Sequence, residues 1–259
     1  MIKTKSRLFN ISSGINCLNG DFKSQVSVSL PNLTFHLDNI QNSYLSVVHC
    51  EVPNSFYIVN YTNNNFVLDN VVYTLTRGNY NINTFITHLL TLIPAGYTLT
   101  YSSITTKITM SHPTTPFTIN ASSTNCTVNK IMGLGTTNLS GLSIVMPNVV
   151  NFIPLQRINF RSTYFNFGCY NSIDGSSDIF LPLQNNAGQN SIINYVNQTQ
   201  HRFLIQDRAI TTFIINVSDD YGNLINFNGV DWLMTLEITY DYLEPVITSG
   251  GFNNIVKKF

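Results

Sequence analysis

The sequence predicts an all-β chain, a jelly-roll β-sandwich carrying a small inserted β-helix-β-β (α+β) subdomain. Three observations carry that expectation. Apolar and polar residues alternate along several long segments, the pattern of strands with one buried face. A single segment has helical spacing, and short strand-like runs surround it. The long strands fall into an N-terminal and a C-terminal group, so they must close by non-local pairing, as in a jelly roll.

Residues 1–23 hold Lys3, Lys5 and Arg7, then a Ser/Gly/Asn stretch without sustained period, and read as an arm that orders on a partner. From Val26 the alternation begins, with Val26, Val28 and Leu30 on one parity and Leu33, Phe35 and Leu37 on the other. Pro31 sits at the break, where a bulge or corner is expected. Tyr44 to Cys50 is apolar on both parities and reads as a central strand. Glu51-Val52-Pro53-Asn54-Ser55 breaks it, and Phe56 to Val59 follows as a short extended segment.

Short strands are expected at Phe66–Leu68 and Val71–Leu75, then a turn at Arg77 to Asn81. Ile82, Phe85, Ile86, Leu89, Leu90 and Ile93 follow at i, i+3, i+4, i+7, i+8 and i+11, which predicts a helix. Asn81 is its expected N-cap, and Pro94 with Gly96 ends it. Strands resume at Tyr97–Tyr101, Ile108–Met110 and near Phe117–Asn120. Long strands return at Val149–Phe160, Ile179–Leu183 and Phe203–Gln206, with a polar surface loop over Asn185–Gln200. Ala209 to Glu244 reads as a hairpin whose tip is Asp219-Asp220-Tyr221-Gly222-Asn223. Phe213, Ile215 and Val217, then Trp232, Met234, Leu236, Ile238, Tyr240 and Tyr242, form its buried parity.

These readings divide the chain into an arm (1–23), a discontinuous jelly-roll domain (24–66 and 140–245), an inserted subdomain (67–139) and a tail (246–259). The tail is a Gly-rich link to an apolar and basic hook. Candidate interface residues lie at both ends: Lys3, Lys5, Arg7 and Phe9, and Phe252, Ile255, Lys257 and Phe259. The apolar members gain by folding onto a neighbour, and the basic ones suit an acidic neighbour or packaged DNA.

Composition points the same way. Charged residues are 10% of the 259 and the net charge is zero, against about 25% charged in ordinary soluble domains. Asn makes up about one residue in seven. Uncharged amides can be buried in an assembly without the desolvation cost of charges. Cys17, Cys50, Cys126 and Cys169 contain no CxxC pair, so reduced thiols are expected and no zinc site. No charged-then-apolar leader and no run of about 18 apolar residues is seen, so neither secretion nor a membrane span is expected. Triplets such as Asn32-Leu33-Thr34 and Asn216-Val217-Ser218 reflect the abundance of Asn and Thr rather than glycosylation.

No catalytic constellation emerges. His36, His49, His88, His112 and His201 lack metal-ligand spacing. His49 and Glu51 share a strand face as a polar pair. Asp219-Asp220 lacks the later acidic ligands of a calcium loop, and Gly133-Leu134-Gly135 lacks the strand-to-helix context of a phosphate loop. The chain is expected not to be an enzyme, with no cofactor and no metal.

Three segments bear a resemblance. Residues 26–60, "VSVSLPNLTFHLDNIQNSYLSVVHCEVPNSFYIVN", resemble the opening of minor capsid proteins of virophages, polinton-like viruses and their giant-virus relatives, where a strand pair ends in a Pro-x-Ser segment. Residues 75–90, "LTRGNYNINTFITHLL", are similar to that family's Gly-Asn-Tyr plus short helix unit. Residues 218–240, "SDDYGNLINFNGVDWLMTLEITY", resemble its closing hairpin with an Asn-Gly-x-Asp-Trp step. The resemblance implies a penton protein, a jelly roll that forms homo-pentamers at icosahedral vertices beside double jelly-roll major capsid proteins and other minor capsid proteins. Its place would be the virion, assembled in the host cytoplasm. The alternative is a lectin-like β-sandwich that binds a host glycan through the inserted subdomain.

Overall fold

The computed structural model describes residues 2–30, 40–153, 155–164, 172–173, 175, 178–205 and 212–243. In chain order the elements are β1 (Ile2–Ser12), a 3-10 turn (Gly20–Phe22), β2 (Gln25–Ser29), β3 (Ile40–Pro53), β4 (Asn65–Leu68), β5 (Val71–Thr74) and α1 (Ile82–Leu92). They continue with β6 (Thr98–Ser102), β7 (Lys107–Ser111), β8 (Phe117–Ile119), the short α2 (Asn129–Met132), β9 (Leu139–Gly141) and β10 (Ser143–Val145). The last group is β11 (Arg157–Arg161), β12 (Ile179–Gln184), β13 (Ile192–Val196), β14 (Phe203–Ile205), β15 (Thr212–Ser218) and β16 (Leu233–Leu243). Strand dominates, and every strand pairing among the described residues is antiparallel.

Two larger sheets share one core. The first runs β1-β16-β3-β13, with β14 also on β3; the second runs β12-β11-β15-β2. Leu45, Val47, Met234, Leu236 and Ile238 of the first join Val26, Val28, Phe160, Ile215 and Val217 of the second in that core. β3 is central, with β16 on one side and β13 and β14 on the other. A bulge at Val48 shifts the inward parity from Leu45 and Val47 to Cys50 and Val52, which makes the sequence apolar on both parities. Trp232 is fully buried against Phe160, edge to face at 5.1 Å. Its indole N–H donates to Lys23 O at 2.6 Å, so the one polar atom of the ring keeps a partner. Its backbone N–H donates to Ser13 Oγ, and Ser13 N–H donates back to Trp232 O, locking the end of β1 onto the start of β16.

A second core gathers Val59, Phe66, Phe85, Leu89, Ile108, Met132 and Met146. It lies among the sheets β10-β7-β6 and β5-β4-β8-β9 and the helix. Asn81 caps α1 as expected: its side chain accepts from Thr84 N–H at 3.0 Å, and Thr84 Oγ1 accepts from Asn81 N–H in return. Phe85 and Leu89 bury the helix stripe, with Ile82, Ile86 and Leu90 half-buried beside them. Asp69 and Asn70 adopt positive φ (48° and 64°) at the β4–β5 turn, which a two-residue hairpin of the primed type requires.

Five expectations need correction. Residues 2–12 are not an unpaired arm: β1 pairs with β16 from Ile2↔Leu243 to Ser12↔Leu233. Its alternation is real, but Lys3, Lys5 and Arg7 occupy the parity of Phe9 and Ile11 and mask it. Residues 209–244 are not a hairpin, because β15 and β16 lie in different sheets. The tip reverses the chain as expected, with a Ser218↔Leu224 bridge, and residues 224–232 then cross to the other sheet. Two strands facing each other across a core each show one buried parity, so periodicity cannot tell them from a paired hairpin.

Val149–Phe160 is not one strand; β11 starts at Arg157, and Val150 and Phe152 pack on the second core. β9 and β10 pair with β8 and β7, so residues 140–146 leave the segment first assigned to the larger sheets. Asn185–Gln200 is not wholly loop, because β13 pairs with the end of β3. The segments Leu33–Leu37 and 246–259 lie outside the described residues.

Candidate assembly surface

β1 is a sheet edge. Lys3, Lys5 and Arg7 are exposed on the parity of half-buried Phe9 and buried Ile11. Thr4 Oγ1, on the opposite parity, donates to Asp241 of β16 at 2.7 Å. Cations on an edge strand oppose edge-to-edge pairing with another chain, which gives these residues a physical role in a soluble state. Phe252, Ile255, Lys257 and Phe259 lie outside the described residues, so the structure does not bring the two sets together.

The outer face of the first sheet carries the unusual surface. Ile2, Leu8, Ile192, Val196, Leu204 and Leu233 all sit on its outward parity, each 48% to 62% exposed. Carboxylates punctuate it: Glu237 accepts from Ser46 Oγ at 3.4 Å, and Glu51 lies 3.7 Å from His49. Arg202 stacks over the Tyr44 ring at 4.2 Å. At one end Pro53, Ile192, Val230 and Leu233 line a groove of about 430 Å³. The sequence signals this face only weakly, through the alternation of Ile193 and Tyr195 with Ile192, Asn194 and Val196 inside a polar stretch.

The far side of β11 is polar yet buried. Asn159 is 1% exposed and donates to Asp220 Oδ1 at 3.0 Å, and Arg157 pairs with the same oxygen at 2.7 Å. These contacts tie β11 to the chain reversal after β15. At that reversal the Asp219 carboxylate accepts from Tyr221 N, Asn223 N and Asn223 Nδ2, which consumes it as a turn brace.

The three segments that carry the resemblance meet. Asn54, in the Pro-x-Ser segment, is buried and exchanges backbone hydrogen bonds with Asn190 and Ser191. Ser55 Oγ donates to Phe227 O at 2.7 Å, and Asn228 Nδ2 donates to Ser55 O at 2.6 Å. Val59 bridges Gly78, and Asn79 Oδ1 accepts from Ile58 N–H at 3.0 Å. Residues 53–59 are thus fastened on one side to the Asn-Gly-x-Asp-Trp step and on the other to the Gly-Asn-Tyr unit.

The described histidines serve locally. His88 Nε2 accepts from Thr76 N–H at 3.0 Å and its ring stacks on Tyr80; His112 Nδ1 accepts from Thr115 N–H at 2.9 Å. Among the described residues no group of three or more His, Cys, Asp or Glu side chains could hold a metal. Cys17, Cys50 and Cys126 are free thiols. Burial, with Glu51 nearby, pushes the Cys50 thiol far up, which keeps it protonated and unreactive. Gly133, at φ 74°, ends α2 where a Cβ would stand 2.3 Å from Asn148 O, so it answers to backbone crowding. Among the described residues no helix is long and apolar enough to cross a membrane.

No protein-family model and no curated protein sequence matches the chain. Among solved structures, the chain is similar to the crystal structure of SeMet-labelled mavirus penton protein, with a TM-score of 0.45 and 9% identity over 92% of this chain and 100% of that one.

Proposed function

We propose that this chain is a non-enzymatic structural protein of a viral capsid whose function is self-association. The observation that carries the reading is the outer face of the first sheet, where six exposed apolar side chains share one parity. Apolar groups gathered on one face of a soluble protein mark an interaction surface. A chain with 10% charged residues has little else with which to keep copies apart.

The strand order supports a jelly roll with an insertion. Counting β13 and β14 as one interrupted strand, the eight long strands in chain order stand 1-8-3-6 in one sheet and 5-4-7-2 in the other. The second core then falls between the third and fourth strands, as an inserted subdomain of wider extent than 67–139. The resemblance of residues 26–60, 75–90 and 218–240 to minor capsid proteins narrows the role to a penton: a homo-pentamer at the vertices of a virion, in contact with major capsid proteins, and assembled in the host cytoplasm. Cyclic assembly needs two different surfaces on each copy. The apolar face supplies one, and the basic side chains of β1, set against an acidic neighbour, supply the other.

The test is native mass spectrometry and light scattering at high protein concentration, followed by reconstruction of purified particles. A ring-forming species, and density for the chain at fivefold vertices, are expected. A strictly monomeric chain that is also absent from particles overturns the reading.

A further inference from the structure

A cleft of about 570 Å³ opens where the two cores meet, within the size range of small-molecule sites. Tyr57, Asn60, Tyr61 and Arg77 line it, together with Asp21, Asp219 and Asn226. The lining is polar yet retains aromatic surface, with Tyr57 37% and Tyr61 42% exposed. Tyr61 is a fixed platform, because its hydroxyl donates to Leu224 O at 2.6 Å and its ring lies 5.5 Å from that of Phe22.

Some of the polar groups hold the cleft together and others are left for a guest. Asp219 is fully engaged by its turn. Asn60 and Asn226 spend their side-chain oxygens on Thr62 N–H and Asn228 N–H, which turns their amide N–H groups into available donors. The Asp21 carboxylate and the Arg77 guanidinium make no side-chain hydrogen bond or ion pair among the described residues. The cleft therefore presents donors, one acceptor of high strength and an aromatic face within one small volume.

That set selects a chemical class. Two carboxylates against one guanidinium disfavour phosphate and other anions. The polar walls disfavour a purely apolar guest, which would leave Asp21 and Arg77 buried without partners. A pyranose ring fits both demands, since its hydroxyls donate to a carboxylate and accept from amides while its C–H face lies on a tyrosine ring. We propose that this cleft binds a neutral mono- or disaccharide, with Tyr57 and Tyr61 as the stacking surface and Asp21, Arg77, Asn60 and Asn226 as the hydroxyl partners. The site differs from one within residues 67–139, because only Thr76 and Arg77 of that stretch reach it. It stands independently of the capsid reading.

The experiment is saturation-transfer NMR on the full-length chain with methyl glycosides of neutral hexoses and N-acetylhexosamines, and with sialyllactose as the acidic arm. Titration by calorimetry follows for any sugar that responds. Saturable binding of a neutral sugar is expected, weakened about tenfold or more in Asp21→Asn and in Tyr57→Ala. Ile104→Ala, at a fully exposed position outside the cleft, should leave affinity unchanged, and all three variants should melt with the parent. Binding of sialyllactose alone, abolished by Arg77→Gln, overturns the neutral class. Absence of saturable binding at roughly millimolar sugar, or binding indifferent to both cleft variants, overturns the site.

Discussion

Trp232 concentrates the stabilising contacts of the larger core in one side chain. It is fully buried, meets Phe160 edge to face and hydrogen-bonds Lys23 O. Trp232→Ala should cost about 3 to 5 kcal/mol, whereas Glu237→Ala, half-exposed on the outer face, should cost under about 0.5 kcal/mol. Denaturant titration of the two variants checks this, and equal mild losses would mean that the faces of β16 are misassigned. The titrating residues give a second test. Burial raises the pKa of Cys50, and of Tyr61, Tyr80, Tyr97 and Tyr195. A raised folded pKa means that the unfolded chain releases its proton first as pH climbs. The associated stability is complete below the ordinary thiol value of 9.0 and declines above it. Urea midpoints should fall on passing from neutral to alkaline solution, and a thiol reagent should modify Cys17 in the native protein but Cys50 only after unfolding.

At the scale of elements, α1 and β1 make contrasting cases. The helix was legible because spacing, cap and stop agree: Asn81 caps, Phe85 and Leu89 are buried, and Pro94 follows the end. Asn81→Ala removes the reciprocal bonds with Thr84 and should cost about 1 kcal/mol, measured by thermal melting. β1 was illegible because its inward parity begins with Lys3, Lys5 and Arg7, whose charges imitate a solvated arm. Similarly, Ile192 and Val196 were hidden among polar neighbours in a strand of five residues. The crossing of residues 224–232 between sheets could not be read at all, since alternation reports a buried face and not the identity of the neighbour. The candidate surface suffered for the same reason: its apolar positions come from β1, β13, β14 and β16, which only pairing brings together. Deleting residues 1–12 should now destabilise the protein and also expose β16 as a long, weakly charged edge. Light scattering should then report open-ended aggregation beyond the closed oligomer expected of the parent chain.

For the whole molecule, the two cores are chemically coherent on their own and joined by a narrow set of contacts. Tyr61 to Leu224 and Lys130 to Tyr221 are among them. The single tryptophan belongs to the first core alone. A chain in which residues 59–152 are replaced by a short Gly-Ser linker should therefore keep the native Trp232 emission and melt cooperatively. Loss of that emission would show that the larger sheets depend on the smaller core. Carboxylates placed at Val196, Leu204 and Leu233 should leave melting unchanged and suppress self-association, because these side chains face outward and an interface excludes unpaired charge.

The partnership of β1 with β16 also governs when the protein can exist. β1 has its partner in residues 233–243, so every strand between them must be synthesised before the sheet can close. Contacts so distant along the chain form slowly, and until they form both β1 and β3 present unsatisfied edges. A product of interrupted translation lacks β16 and with it the outer-face positions that β16 contributes. Synthesis of β16 is thereby a checkpoint: chains that stop before it are excluded from the pool that can associate in register, and no separate inspection step is needed to discard them.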